Sequence, residues 1–345
     1  MPTLPHPWLD ASPPVPALPI PGNVQLWQVA RQHILATLTH LLGDLPPRTR
    51  PDQVRVLSRQ DEGDHWLERM GFDNGAGSQV HGWCFVPKTA TAEQPAPAIL
   101  YCHWHGDDYA TGKDEMRRTN ATPVPAGPEL ARRGYVVLGI DAEAFGERQG
   151  QGPDGTGSTG QAGEVAAAKF HLWMGRSLWG MMLRDDLTAL DYLCQRPEVD
   201  ASRIGVTGIS MGSTRAWWLM ALDERLRAAV CVACMTRYQE LIRAGGLHQH
   251  GIYYFVPGML RHFDTEAVIA CAAPRPMLIL TGDQDAGSPV AGVLKLGEIV
   301  GQVYALHGEE AGARFDSVLY PGIGHTYLPD MWQKTVAWMD RWVKG

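Results

Sequence analysis

The run Arg203-Ile204-Gly205-Val206-Thr207 leads directly into Gly208-Ile209-Ser210-Met211-Gly212, and a helix-like segment follows at 213–222. No other feature constrains the fold as tightly. A Gly-x-Ser-x-Gly turn between strand and helix leaves no room for side chains at its flanking positions. In return it lifts the central hydroxyl out of the sheet and aims it at the helix N-terminus. The pattern alone is weak in a chain with 38 glycines. The strand before it, the helix after it and the partners downstream give it weight.

The rest of the chain agrees with an α/β fold. From residue 96 onward, strands are expected at 98–102, 135–140, 203–207, 228–233, 277–281 and 315–320. Helices are expected between them at 128–133, 183–194 and 213–222, around 291–305, and at 330–343. Short all-apolar strands separated by helices imply a mainly parallel sheet covered on both faces. Residues 23–95 read as an N-terminal extension. Asn23 caps a helix over 24–42 whose apolar face is Trp27, Ala30, Ile34, Leu38 and Leu41, and antiparallel strands follow at 54–57, 66–72 and 80–86. Residues 1–22 hold eight prolines and no periodicity, which reads as an extended arm on the surface or on a second copy of the chain. Within the expected catalytic domain, 96–345, two connections are too long for turns. These are 143–182, with its glycine-rich opening, and 236–263; both start at strand C-termini and are read as cap segments over a pocket.

A serine hydroxyl is a poor nucleophile at neutral pH and needs a base, which in turn needs an orienting acid. The apolar strand at 277–281 ends in Gly282-Asp283-Gln284-Asp285, and the strand at 315–320 ends in Pro321-Gly322-Ile323-Gly324-His325. Acid and base therefore fall on the same sheet edge as Ser210, in the chain order nucleophile, acid, base. Asp285 is preferred over Asp283 because the acid stands three residues past the strand-ending glycine. The oxyanion hole is expected from the backbone N–H of Met211 and one N–H in His103-Trp104-His105-Gly106-Asp107-Asp108. His105 is the candidate there, with Gly106 or Asp107 as alternatives. Trp104, Trp179, His248, Tyr253 and Tyr254 are candidates for the substrate pocket. His103, His105, Asp107 and Asp108 also resemble a metal cluster, but a complete triad leaves a metal no task, so no metal or cofactor is expected.

Composition narrows the partners. A net charge of −7 argues against nucleic acid or an anionic membrane surface, and no apolar stretch is long enough to span a bilayer. The N-terminus lacks the basic and apolar parts of a secretory signal, so a cytoplasmic location is expected. The six cysteines are scattered in apolar runs, and Cys231-x-x-Cys234 reads as part of a buried strand rather than a redox or zinc site.

The chain resembles the dienelactone hydrolase and acetyl-xylan-esterase-like branch of the α/β-hydrolases over about residues 96–342. The resemblance rests on Arg132-Arg133-Gly134-Tyr135-Val136-Val137-Leu138, on Asp141 with Phe145-Gly146-Glu147-Arg148, and on Asp186-Leu187-Thr188-Ala189-Leu190-Asp191-Tyr192-Leu193. Arg196-Pro197-Glu198-Val199-Asp200, the elbow and Ala273-Pro274-Arg275-Pro276 extend it. It implies hydrolysis of a carboxylic ester of a small molecule. Dienelactone hydrolases carry cysteine where this chain has Ser210. The sugar deacetylases follow their nucleophile with Gln-Gly, where this chain has Met211-Gly212. A prolyl-oligopeptidase-like peptidase, a thioesterase, a lactonase and a non-catalytic binding protein are the competing readings. The proline-rich arm fits a homo-oligomer.

Overall fold

The computed structural model describes residues 6–345. Among them one sheet carries nine strands: β1 (Arg55–Asp61), β2 (His65–Asp73), β3 (Gln79–Pro87), β4 (Ala96–Cys102), β5 (Val136–Ile140), β6 (Val199–Ile209), β7 (Leu226–Val232), β8 (Met277–Gly282) and β9 (Phe315–Tyr320). The spatial order is β1-β2-β3-β5-β4-β6-β7-β8-β9. The first three strands pair antiparallel, β3 joins β5 antiparallel, and every pairing from β5 through β9 is parallel. This is the expected architecture, an antiparallel lead-in continued by a parallel sheet.

The helices are α1 (Pro7–Asp10), α2 (Val24–Leu42), α3 (Ala126–Arg132), α4 (Gly160–Trp173), α5 (Leu178–Gln195), α6 (Met211–Leu222), α7 (Tyr238–Arg243), α8 (Thr265–Ala270), α9 (Val290–Ala305), α10 (Glu309–Gly312) and α11 (Pro329–Met339). The Asn23 side chain caps α2 by accepting from Leu26 N–H at 3.0 Å, as its sequence position requires. The buried face of α2 is Trp27, Arg31, Ile34, Leu38 and Leu42. Arg31 is inside because Nε donates to the carbonyl of Cys271 at 2.8 Å and Nη1 pairs with Glu224. Of the arm, the first five residues lie outside the described region. The rest is not wholly extended, since Pro7 opens the one-turn helix α1, whose Asp10 pairs with Arg243 of α7.

Both sheet faces are covered, and β4 shows how. Ala98, Leu100 and Cys102 join the core formed with α2, α5, α6, α8 and α9, while Ile99 and Tyr101 join the core formed with α3 and α11. A strand alternates sides residue by residue, so an unbroken apolar run is what two buried faces demand. No helix of the described residues is long and apolar enough to cross a membrane.

Candidate active site

The elbow is built by close approach of backbones. A Cβ on Gly208 would stand 2.3 Å from the carbonyl oxygen of Cys102, and one on Gly212 would stand 2.0 Å from the same atom. Strand β4 therefore forbids a side chain at positions 208 and 212, two residues to each side of Ser210. Between them Ser210 takes φ +60° and ψ −121°, a conformation that costs a non-glycine residue about 1–3 kcal/mol. The surroundings hold it there. Ser210 N–H donates to Val232 O at 2.9 Å, and Ser210 O accepts from Thr214 N–H at 3.0 Å. Met211 is the first residue of α6, so its N–H has no intrahelical partner and lies at the positive end of the helix dipole.

The acid and base loops are locked together in a similar way. A Cβ on Gly282 would fall 2.1 Å from Ile323 O, and Gln284 N–H donates to that same oxygen at 2.8 Å. Asp283 is exposed and accepts from Gly322 N–H at 2.7 Å, so its carboxylate ties the two loops. Asp285 is buried. Its Oδ2 accepts from His325 Nδ1 at 2.9 Å and from Ser288 Oγ at 3.1 Å, and its Oδ1 accepts from Gly287 N–H at 2.9 Å. Burial pushes the Asp285 pKa upward, but the hydrogen bond and charge of His325, with Gly287 and Ser288, outweigh it and hold the group below the ordinary carboxylate range. An ionised Asp285 keeps the proton of neutral His325 on Nδ1 and leaves Nε2 as the free base.

The nucleophile and this pair are not joined by a hydrogen bond. Ser210 Oγ instead lies 3.6 Å from Cys234 Sγ. Cys231 is inside β7 as expected, whereas Cys234 follows the strand and stands at the nucleophile. Ala233 and Cys234 both have positive φ, +61° and +50°. Neither residue type signals such a turn, which is why the strand pattern ran on through them. Burial pushes the Cys234 thiol up to about 12, so it stays protonated.

In the loop after β4, three backbone N–H groups are committed. Trp104 donates to Glu115 Oε2 at 2.7 Å, Asp107 to the His105 ring Nδ1 at 3.1 Å, and Asp108 to His105 O at 3.0 Å. That removes Asp107 as a second oxyanion donor and leaves His105 and Gly106. Burial raises Glu115 to about 8, against the hydrogen bonds it accepts from Tyr101 and Trp104. Both ring nitrogens of His103 are used, Nδ1 toward Trp104 O at 2.7 Å and Nε2 accepting from Ala142 N–H at 3.0 Å. Among the described residues no three His, Cys, Asp or Glu side chains are grouped to hold a metal.

The aromatic candidates divide. Tyr253 is buried and stacks on His105, with ring centroids 5.1 Å apart, and Tyr254 stacks on His250 at 4.0 Å. Trp104 is half-buried and packs its ring over Gly106. Trp179 belongs to the core, edge-on to Trp218 and tilted against Tyr253. His248 faces solvent, because the turn Gly246–Gln249 bonds it back to Gly245 O at 2.9 Å. Its neighbour His250 is the one that points inward, with Nε2 donating to Gly287 O at 3.1 Å, and burial lowers it to about 4. Sequence reasoning also passed over Glu164 of α4, which is 1% exposed and accepts from His105 Nε2 at 2.9 Å. A lone glutamate behind a glycine-rich stretch carries no signal of that contact. The motif Asp141 with Gly146 and Glu147 is scaffold. Asp141 accepts from Lys113 N–H and Nζ, both at 2.8 Å, and a Cβ on Gly146 would strike its Oδ1 at 2.1 Å.

A parallel sheet with an antiparallel lead-in, a strained serine at the β6–α6 turn and an Asp–His pair on later strand ends is the α/β-hydrolase fold. The chain belongs to the abhydrolase family, whose model matches residues 27–293. It is 34% identical over 308 residues, 89% of this chain and 97% of the other, to YtaP of Bacillus subtilis, a protein named as a hydrolase. YuxL of the same organism, a protein named as an uncharacterized peptidase, is 26% identical over 75% of this chain, which spans 38% of that protein. Among solved structures, the glucuronoyl esterase from Solibacter usitatus superposes with a TM-score of 0.66 at 16% identity, covering 98% of both chains. Acetyl xylan esterase 1 from a Thermoanaerobacterium species superposes with a TM-score of 0.56 at 19% identity, covering 91% of this chain and 92% of its own.

Proposed function

We propose that the protein is a serine hydrolase that cleaves carboxylic esters through an acyl-enzyme. The observation that carries this reading is Ser210, held at φ +60° on the elbow, on the same sheet edge as the hydrogen-bonded Asp285–His325 pair. Ser210 Oγ turns from Cys234 to His325 Nε2, gives up its proton there and attacks the ester carbonyl carbon. The N–H of Met211, with that of His105 or Gly106, holds the tetrahedral oxyanion. Its collapse breaks the ester C–O bond, and the alcohol leaves with the proton from His325. Water, deprotonated by the same imidazole, then releases the acid from Ser210. Asp285 holds the imidazole tautomer and stabilises its cation.

The carbohydrate-ester class is the favoured substrate, because acetyl xylan and glucuronoyl esterases share the whole fold of this chain. The resemblance to YuxL supports peptide cleavage as a second reading. The proposed location is the cytoplasm, which the six unpaired cysteines favour. Hydrolysis of p-nitrophenyl acetate, butyrate and octanoate by wild type and Ser210→Ala, beside a prolyl peptide amide, separates these readings. Turnover of the esters that is abolished in the variant supports the esterase. Turnover of the amide alone would replace that reading with a peptidase.

A further inference from the structure

The glycine-rich insert reaches the proposed oxyanion loop through one buried contact. Glu164 of α4 is 1% exposed, and its Oε2 accepts from His105 Nε2 at 2.9 Å and from Tyr109 Oη at 3.3 Å. Its other oxygen leaves no space at Gly251, where a Cβ would approach Oε1 to 2.7 Å. Both donors belong to the segment just after β4. A buried carboxylate is costly unless hydrogen-bonded, and an apolar side chain of the same size would pack the position at least as well. The charge therefore serves geometry.

That geometry is the state of the His105 ring. Nε2 faces Glu164 Oε2 at 2.9 Å, and Nδ1 lies 3.1 Å from Asp107 N and 3.4 Å from Asp107 Oδ1, so both ring nitrogens are engaged. The ring is closed in by the face of Tyr253 at 5.1 Å and by edge contacts to Tyr109 at 4.9 Å and Phe145 at 5.1 Å. Beneath it, Gly106 and Asp107 are consecutive left-handed residues, with φ +56° and +52°. The second is not glycine, and the ring nitrogen is what its N–H is bound to.

We propose that Glu164 is a positioning residue. Through His105 it fixes the 105–107 turn, and with it the second backbone N–H that meets the tetrahedral oxyanion. This rests on the serine-hydrolase reading above. Loss of a whole oxyanion donor costs about 10²–10³-fold in kcat, so a donor left in place but poorly aimed costs less, roughly 10–100-fold. The loss falls on kcat, because the contact is made only in the transition state.

The test compares wild type with Glu164→Ala, Glu164→Leu, Glu164→Gln and Ser210→Ala, using p-nitrophenyl acetate as substrate and phenylboronic acid as tetrahedral mimic. Expected for Ala and Leu is a kcat lower by about 10–100-fold, KM within about twofold, and a boronate Ki raised by the factor lost from kcat. Gln, whose amide oxygen still accepts from Nε2–H, recovers to within about threefold of wild type. Leu fills the site, so it stands in if the Ala variant does not fold. The proposal is overturned if Leu keeps wild-type kcat, if the loss appears in KM with the boronate Ki unchanged, or if Gln is no better than Leu. Equal rates for wild type and Ser210→Ala would instead overturn the serine-hydrolase reading, and this proposal with it.

Discussion

The sheet edge and the two inserts are held in place by different means. Around Ser210 and between the acid and base loops, backbone presses on backbone, so Gly208, Gly212 and Gly282 admit no Cβ. In the inserts, buried side chains do the holding: Glu164 on His105 from 143–182, and His250 on Gly287 from 236–263. A main-chain contact sets the position of a residue regardless of its neighbours' side chains. A side-chain contact can be removed alone, and it carries the state of the insert to the loop it touches. In the proposed mechanism the sheet edge supplies the chemical groups, and Glu164 of the first insert aims one of them.

The sharpest split is expected in turnover. Ser210→Ala lowers ester kcat by about 10⁴-fold or more, with its melting temperature near that of wild type. Asp285→Asn follows at about 10³–10⁴-fold, because the neutral amide no longer enforces the Nδ1–H tautomer of His325. Asp283→Asn, one turn away and tied to Gly322 N–H, changes kcat by less than about tenfold. If Asp283 proved the costlier of the two, the assignment on this edge would be broken.

Smaller effects test the inserts and the core behind them. Trp179→Ala, which empties the space under Tyr253 and Trp218, destabilises by about 3–5 kcal/mol in urea unfolding. For His250 the prediction is a pH dependence. Its folded pKa, about 4, lies below the unfolded value near 6.5, so the native state binds fewer protons between these limits. Its stabilisation is complete above pH 6.5 and is lost as the pH falls toward 4. Asp285, also depressed, begins to lose its own contribution only below the ordinary Asp range. His250→Phe keeps the stack on Tyr254 and removes the titration, so its loss of stability between pH 7 and 5 is smaller than wild type's by about 2 kcal/mol. An unchanged pH slope would mean that His250 is not held neutral by the insert.

The same division explains what could be read from the sequence. The central parallel strands and the capped helix α2 are legible because a two-faced apolar run and an Asn at a helix start act locally, whereas β1, exposed along its whole length, is legible only as a short run of Val and Leu. Ser210 and Asp285, proposed members of the triad, stand out for a related reason, since close backbone approach at Gly208, Gly212 and Gly282 leaves glycines near them, while His325 stands out by its place after the last strand. The helix α4 was not named, because its Ala- and Gly-rich run has little amphipathic pattern. The turn at Ala233 and Cys234 is not legible, because residues other than glycine ordinarily avoid positive φ. The Glu164–His105 and His250–Gly287 contacts join residues 59 and 37 positions apart, which no local pattern reports.

The central claim is that Ser210 is the nucleophile, and covalent trapping tests it most directly. The protein would be treated with an alkyl fluorophosphonate, with ester turnover and the modified peptide followed together by mass spectrometry. The account predicts one adduct, on the peptide containing Gly208–Gly212, formed in step with the loss of activity and missing in Ser210→Ala. Activity that survives full modification of Ser210, or an adduct on another residue that abolishes it, would contradict the account.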